Sequence, residues 1–484
     1  MENKQLIELL LNRQEWFVFE CKRALTKPAK MLEVVVALAN TEGGTFVIGL
    51  EDPDKVEKNK RLIGIKEGAD NVSDLLKLID KEISPPLNYQ HFDLNIVNVN
   101  GQEDLLTVFV IDKSHDIHSL KNGDTLVRKG RQTPKIGAGE IIRLKYDKGS
   151  LKFEDEDSHI NDLEFIDPDL LNQYKKDTSS QAFDDWQFLK DNALVFETQG
   201  KFHLTKAGAL LFTKNPTISL KTKCGIKISH YYGTKPNYSQ EPNFVTRPFT
   251  IEGPLIKQIE QAVEYFRHLV KSSPPKLSGA TFQPTFLIPE WAFQEAITNA
   301  VIHRNYSIED DIQVRFFDDR VEIESPGTYP GHITIGNIRS ERYARNPIIL
   351  RTLNRFQSAP NLDIGEGVDR MFKVMREQNL YEPLYFPPSF KPNSVLLLLF
   401  NLQKIEYWDT VSIFLDENYR ITNEKAREIT GITDTLIMSR YFKTWVDQGL
   451  LEKFGKGKRD TYYCKSGQGL PNTLFSEGSE NKND

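Results

Sequence analysis

The sequence predicts a mixed α/β protein, α+β and multidomain, on three observations. Its 484 residues suffice for two to four domains, each with a core of its own. Up to about residue 404, apolar runs of strand length are interspersed with helices of 3.6-residue period. Beyond that point short helices lead into a hairpin with a glycine-rich, basic tip.

Residues 1–148 open with an amphipathic helix at about 2–13, followed by the strand "WFVFECK" and a helix, "PAKMLEVVVALAN", with Pro28 near its start. Glycines in "TEGG" end that helix, and "TFVIGL" is a buried strand. Further strands are expected at "FDLNIVNV", "LLTVFVI" and "TLVRKG". Residues 149–170 are expected to be an acidic linker or domain edge, because eight acids fall within 153–169. Between 171 and 404, "HLTKAGALLF" and the strand "GIKISHYYG" precede a long helix at about 252–271. A second helix around 295, the strand pair "IQVRFFDD" and "RVEIESPG", and the closing strand "NSVLLLLFNL" complete the region. Residues 405–466 read as helix, helix–turn–helix and β-wing, the order of a winged helix. Residues 467–484 are polar and expected to be disordered.

Composition narrows the function classes. Hydrophobic residues make up 39% and charged residues 27%, as in an ordinary globular protein. No run approaches the roughly 20 apolar residues of a membrane span, and the N-terminal helix has polar flanks unlike a signal peptide, so no membrane role and a cytoplasmic location are expected. Cys21, Cys224 and Cys464 are too few for a disulfide framework or a cysteine zinc site. A net charge of −6 gives no global attraction to nucleic acid, so such binding must use local basic patches. His115 and His118 have no third ligand at metal spacing and are expected to be loop residues.

The stretch "EAITNAVIHRNY" places Glu295, Asn299 and His303 four residues apart, within a helical stripe roughly 80° wide. Phe293, Ala296, Ile297, Ala300 and Val301 occupy the adjoining core face. A carboxylate, an amide and an imidazole presented to one place suit a ligand or a metal; a solvated polar face is the alternative.

Glu-x-x-x-Asn-Ala resembles the N-box of the GHKL ATPases, and the continuation His303, Arg304, Tyr306 resembles the divergent RecG-like ATPase module. "RVEIESPG", "RNP" at 345–347 and "GEGVDR" at 365–370 follow in the order of that module. The resemblance implies a GHKL-like α/β sandwich binding ATP with Mg²⁺: Asn299 as metal ligand, Glu295 orienting water, and His303, Ser325, Gly327, Gly365 and Gly367 lining the nucleotide site. Ser325 stands where the family carries an adenine-reading Asp, a departure that bears on base selectivity.

"EWFVFECKRA" followed by "ALANTEGGTFVIGLED" resembles the Schlafen AlbA-like domain over about residues 10–140, with Cys21 in place of the family's Phe and "VRKGRQT" at its Arg-x-Gly strand end. The resemblance implies a metal-binding acidic site of Glu15, Glu20 and Asp52, with Glu20 and Asp52 as metal ligands for Mg²⁺ or Mn²⁺ and Lys22 beside them. A metal would generate hydroxide and stabilise the leaving oxygen of a phosphodiester. A straight strand would put Glu15 roughly 16 Å from Glu20 and on the other face, so the chain must bend before Trp16 for Glu15 to join. A Glu20–Lys22 ion pair on a fold-defining strand is the plainer alternative.

In the winged helix, Arg440 and Lys443 lie on the helix that would enter a major groove, and Lys456, Lys458 and Arg459 lie at the wing among the phosphates. Protein docking, including self-association into a homo-oligomer, is the other use of such a module. Two function classes follow. The first is a metal-dependent endonuclease with an ATP-binding module, acting on RNA such as tRNA and suited to defence against phage. The second is a DNA-binding transcriptional regulator with a nucleotide-sensing module, in which the acidic residues are structural.

Overall fold

The structure, a computed structural model, describes residues 3–467 except 14, 57, 183, 199, 238–240, 273–275, 279–280, 284–285, 361–364, 419, 456 and 458–460. Lys456, Lys458 and Arg459, and the expected tail beyond Gly467, lie outside the described residues. The chain is mixed α/β and divides into two compact units, Met1–Lys148 with Tyr407–Asp484, and Gly149–Glu406. Among the described residues no helix is long and apolar enough to cross a membrane.

In the first unit, strand Phe19–Lys22 pairs in parallel with Gly44–Ile48, and helix Pro28–Asn40 makes the crossover between them. Strands Glu103–Ile111 and Tyr89–Val97 continue the sheet antiparallel. Alternation along the strands supplies two cores. Phe46, Ile48, Phe109 and Ile111 pack on helices Pro28–Asn40 and Ala69–Glu82, while Phe19, Cys21, Val47 and Val108 pack with Leu10 of helix Asn3–Asn12. The expected strand "TLVRKG" forms only isolated bridges, Thr125 with Ser119, Leu126 with Lys135 and Lys129 with Gln132. Backbone bonds to residues 132–136 hold one edge of this segment, and helix-end side chains add to them: Asn40 Nδ2 donates to Leu126 O at 2.9 Å, and Arg128 N donates to Thr41 Oγ1 at 2.8 Å. His118 is buried, with its ring nitrogens against Pro85 O and Ser114 Oγ.

The same unit contains helices Trp408–Glu417, Asn423–Thr430 and Thr435–Asp447, then strands Leu451–Phe454 and Tyr462–Lys465, with Ile421 bridged to Tyr463. Thr422 and Asp434 cap the second and third helices, and Gly431 ends the second at φ +76°. Val411, Leu415, Met438, Phe442 and Trp445 form the buried interior.

The second unit is built on a six-stranded sheet in the order Phe244–Ile251, Ile226–Tyr231, Ile312–Phe316, Arg320–Pro326, Ser394–Phe400, Leu384–Tyr385. Ile312, Val314, Phe316, Ile323 and Leu399 form one core with Phe266 of helix Leu255–Ser272, Phe293 and Ile297 of helix Glu290–Ile302, and Met371 of helix Gly367–Glu377. Alternate residues carry an ionic ladder instead, with Arg315 2.8 Å from Glu324 and Arg320 2.7 Å from Glu322.

The acidic stretch 149–170, expected as a linker or domain edge, opens this unit at Gly149 and belongs to it. Ile160 and Ile166 enter its core, and Asp162 and Asp167 cap the turns that follow them. Glu154 is fully buried and accepts hydrogen bonds from Ile348 N and Ile349 N at 3.0 and 2.9 Å. Charge density concealed these apolar anchors.

Candidate functional site

Helix Glu290–Ile302 follows Pro289 and carries its apolar side into the core. On its remaining edge Glu295 and Asn299 meet one turn apart, Asn299 Nδ2 donating to Glu295 Oε1 at 2.9 Å. Both line a cavity of 460 Å³ with His303, Ser325, Gly365 and Gly367. The volume lies in the ~300–1,000 Å³ range of small-molecule sites. Burial pushes the Glu295 carboxyl up, against the Asn299 hydrogen bond and the charge of Arg370. His303 is half-buried, and burial together with Arg345 pushes its imidazole down to about 4.

Arg342 and Arg370 also line the cavity. Neither forms an ion pair with a described residue; Arg370 stacks over the Trp291 ring at 4.5 Å. Two guanidinium groups that form no ion pair among the described residues, one of them acting on Glu295 only through its charge, are suited to phosphate oxygens. They were missed as site residues at the sequence level, although Arg370 closes the "GEGVDR" motif and Arg342 lies three residues before "RNP".

The other motif residues hold this arrangement. Arg345 Nη1 donates to His303 O at 3.0 Å and Nη2 to Thr328 O at 2.6 Å, while Asn346 Nδ2 donates to Ile302 O and Arg304 O. "RNP" therefore grips the end of the Glu295–Asn299 helix. Gly327, at φ +116°, contributes in the same way, since a Cβ there would lie 2.3 Å from Arg345 Nη1; it is not among the cavity-lining residues. Ser325 Oγ donates to Ala300 O at 2.8 Å. Asn299 and Glu295 fit an oxygen-seeking ion such as Mg²⁺: the amide nitrogen is committed to Glu295, which leaves the amide oxygen as a donor beside a carboxylate.

The second constellation is assembled by a turn. Trp16 and Phe19 exchange backbone hydrogen bonds of 2.8 and 3.2 Å, so the chain reverses at Phe17–Val18, after Trp16 and not before it. Gly44 makes room, since a Cβ there would lie 2.2 Å from Val18 O. The reversal brings Glu15 beside Glu20, both buried. Glu15 Oε1 accepts from Cys21 N at 3.3 Å and lies 3.4 Å from Lys22 Nζ; Lys22 also bonds Glu20 Oε1. Arg128, 1% exposed at its side chain, pairs with Glu20 Oε2 at 2.7 Å and donates to Trp16 O at 2.8 Å. Burial pushes Glu20 up, opposed by Arg128 and Lys22 and helped by the neighbouring Glu15 charge. For Glu15 burial acts upward too, but Lys22 and the Cys21 hydrogen bonds prevail and the carboxyl is lowered.

Two carboxylates are thus matched by two cations. No hydrogen bond or ion pair joins Asp52 to Glu15 or Glu20; its Oδ1 accepts from Asp54 N at 2.9 Å. As held, the donors do not fit a divalent ion, because Lys22 and Arg128 already occupy the Glu20 oxygens. Arg128 went unassigned in the sequence, although it begins the Arg-x-Gly of "VRKGRQT".

On helix Thr435–Asp447, Arg440 and Lys443 are exposed, as are Leu436 and Ile437. Asp434 accepts from Leu436 N and Ile437 N and is the helix cap.

Residues 15–137 match the family model described as Schlafen, AlbA_2, and residues 309–393 match that described as the C-terminal part of a putative ATP-dependent DNA helicase recG. The first spans Glu15, Glu20, Lys22, Asp52 and Arg128; the second spans Ser325, Arg342, Arg345 and Arg370 and begins just after the Glu295–Asn299 helix. No curated protein matches the chain. The crystal structure of the DIP2311 protein from Corynebacterium diphtheriae is 17% identical and covers 96% of each chain at a TM-score of 0.41. The chain carries an AlbA-like Schlafen domain and an ATPase-type module, which associates it with nucleotide and nucleic acid.

Proposed function

We propose that this chain is a nucleotide-sensing, nucleic-acid-binding regulator whose second unit binds Mg-ATP. The observation that carries the reading is the 460 Å³ cavity in which the Glu295–Asn299 pair is accompanied by Arg342 and Arg370, cations with no ion-pair partner among the described residues. Arg342 and Arg370 bind phosphate oxygens, and Asn299 holds the Mg²⁺ that neutralises phosphate charge. Ser325 gives its hydroxyl proton to Ala300 O, so toward the cavity it can only accept, which is the polarity an exocyclic amino group of adenine requires. Glu295, raised by burial, serves as a base for the water that attacks the terminal phosphate. Arg440 and Lys443 contact the phosphates of duplex DNA from the exposed side of their helix. Titration with Mg-ATP and Mg-GTP, followed by duplex DNA binding with and without ATP, tests the reading. Equal affinity for both nucleotides would remove the role given to Ser325.

A second reading, metal-dependent cleavage of RNA such as tRNA with phage defence as its setting, is favoured by the turn that puts Glu15 beside Glu20. It requires Lys22 to leave the pair.

A further inference from the structure

We propose that Asp157, His159 and His203 form a binding site for Zn²⁺ or another late first-row divalent metal. The site shares no residue with the nucleotide cavity or with the acidic pair. His203 Nδ1 lies 3.1 Å and His159 Nδ1 3.2 Å from the same oxygen, Asp157 Oδ2, and all three ligand atoms lie within 4.8 Å of one another. Tetrahedral ligands on bonds of about 2.0–2.1 Å are separated by roughly 3.3–3.4 Å, so the two measured edges are already close to coordination geometry.

The backbone holds the ligands in this arrangement. His159 has φ +61°, a left-handed conformation uncommon for a non-glycine residue, and its N–H donates to Asp157 Oδ1 at 2.7 Å. That bond turns Oδ2 toward the imidazoles, so the carboxylate would bind through one oxygen while the other is oriented by the backbone. Ser158 N donates to Leu204 O at 3.0 Å and Leu204 N to Ile160 O at 2.8 Å, fastening the loop along strand Lys201–Leu204, which carries His203. The His159 side chain is 84% exposed, which gives an ion access and leaves a fourth position for water. Two imidazole nitrogens and one carboxylate oxygen suit Zn²⁺ rather than Mg²⁺ or Ca²⁺. The metal would tie the acidic loop to strand Lys201–Leu204.

The test is calorimetric titration of the full chain with ZnCl₂ after chelator treatment, beside a Co²⁺ absorption spectrum. His159→Gly, which suits the left-handed backbone, and His203→Ala serve as variants, with melting curves of the metal-free proteins to verify folding. One saturable Zn²⁺ site in wild type is expected, with visible Co²⁺ bands of a four- or five-coordinate site. Each variant should bind more than about tenfold more weakly, since even outer-shell losses cost ~10–100-fold. No saturable binding by wild type, or wild-type affinity in both folded variants, would overturn the proposal.

Discussion

Gly367 stands against the Glu295 carboxylate so closely that a Cβ at this position would lie 1.8 Å from Oε1. The first residue of one helix thereby sets where the carboxylate of another can lie, and with it the Asn299 amide. Gly367→Ala should displace the Glu295 carboxylate, the far end of a flexible side chain, with loss of its hydrogen bond from Asn299, worth about 0.5–1.5 kcal/mol. Thermal melting should show this loss together with weaker Mg-ATP binding. Unchanged melting and affinity would mean that the carboxylate is not constrained there.

His303 makes the second unit acid-sensitive. Its folded-state value of about 4 lies below the ordinary 6.5, so between these values the unfolded chain binds more protons. Stability from the neutral imidazole is fully present above about pH 6.5 and is lost as pH falls toward 4, on the order of 3 kcal/mol in all. Denaturant melts across this window should show the slope in wild type and a shallower one in His303→Gln.

The acidic pair separates the two readings of the first unit. Glu20→Gln leaves the buried Arg128 guanidinium without its counter-charge, and breaking such a pair costs about 3–5 kcal/mol. A large drop in melting temperature is expected, with no metal-dependent cleavage in wild type to lose. Cleavage of tRNA by wild type that vanishes in a stably folded Glu20→Gln would favour the nuclease instead.

Much of the fold was legible because periodicity reports burial directly. The helix at Glu290–Ile302 and the strands at Ile312–Phe316, Arg320–Pro326 and Ser394–Phe400 fall where apolar spacing put them. The Phe17–Val18 reversal was not legible at that position, since "WFVF" contains no glycine, proline or asparagine; its cause is Gly44, distant in sequence. The metal role expected for Glu20 met a similar obstacle. Its buried partner Arg128 comes from a segment more than a hundred residues away, and spacing within one strand could show only Lys22. The seven residues expected at the nucleotide site divide in two, since six line the cavity while Gly327 shapes the loop behind it.

Helix Thr435–Asp447 presents exposed cations beside exposed Leu436 and Ile437. Arg440→Glu with Lys443→Glu should weaken duplex DNA binding and flatten its salt dependence, as loss of phosphate contacts requires. The wing variant Lys456→Glu, Lys458→Glu, Arg459→Glu should act in the same direction. DNA affinity untouched by both, with self-association lost in Leu436→Asp, would identify a protein-docking face.

The proposed function rests on Mg-ATP being held by Asn299 and its neighbours, and calorimetric titration of wild type and Asn299→Ala with Mg-ATP decides it. Wild type should bind one equivalent. Asn299→Ala, which removes the metal ligand and the partner of Glu295 while leaving the apolar helix face intact, should abolish binding. Affinity unchanged in Asn299→Ala, or no binding by wild type, would contradict the assignment.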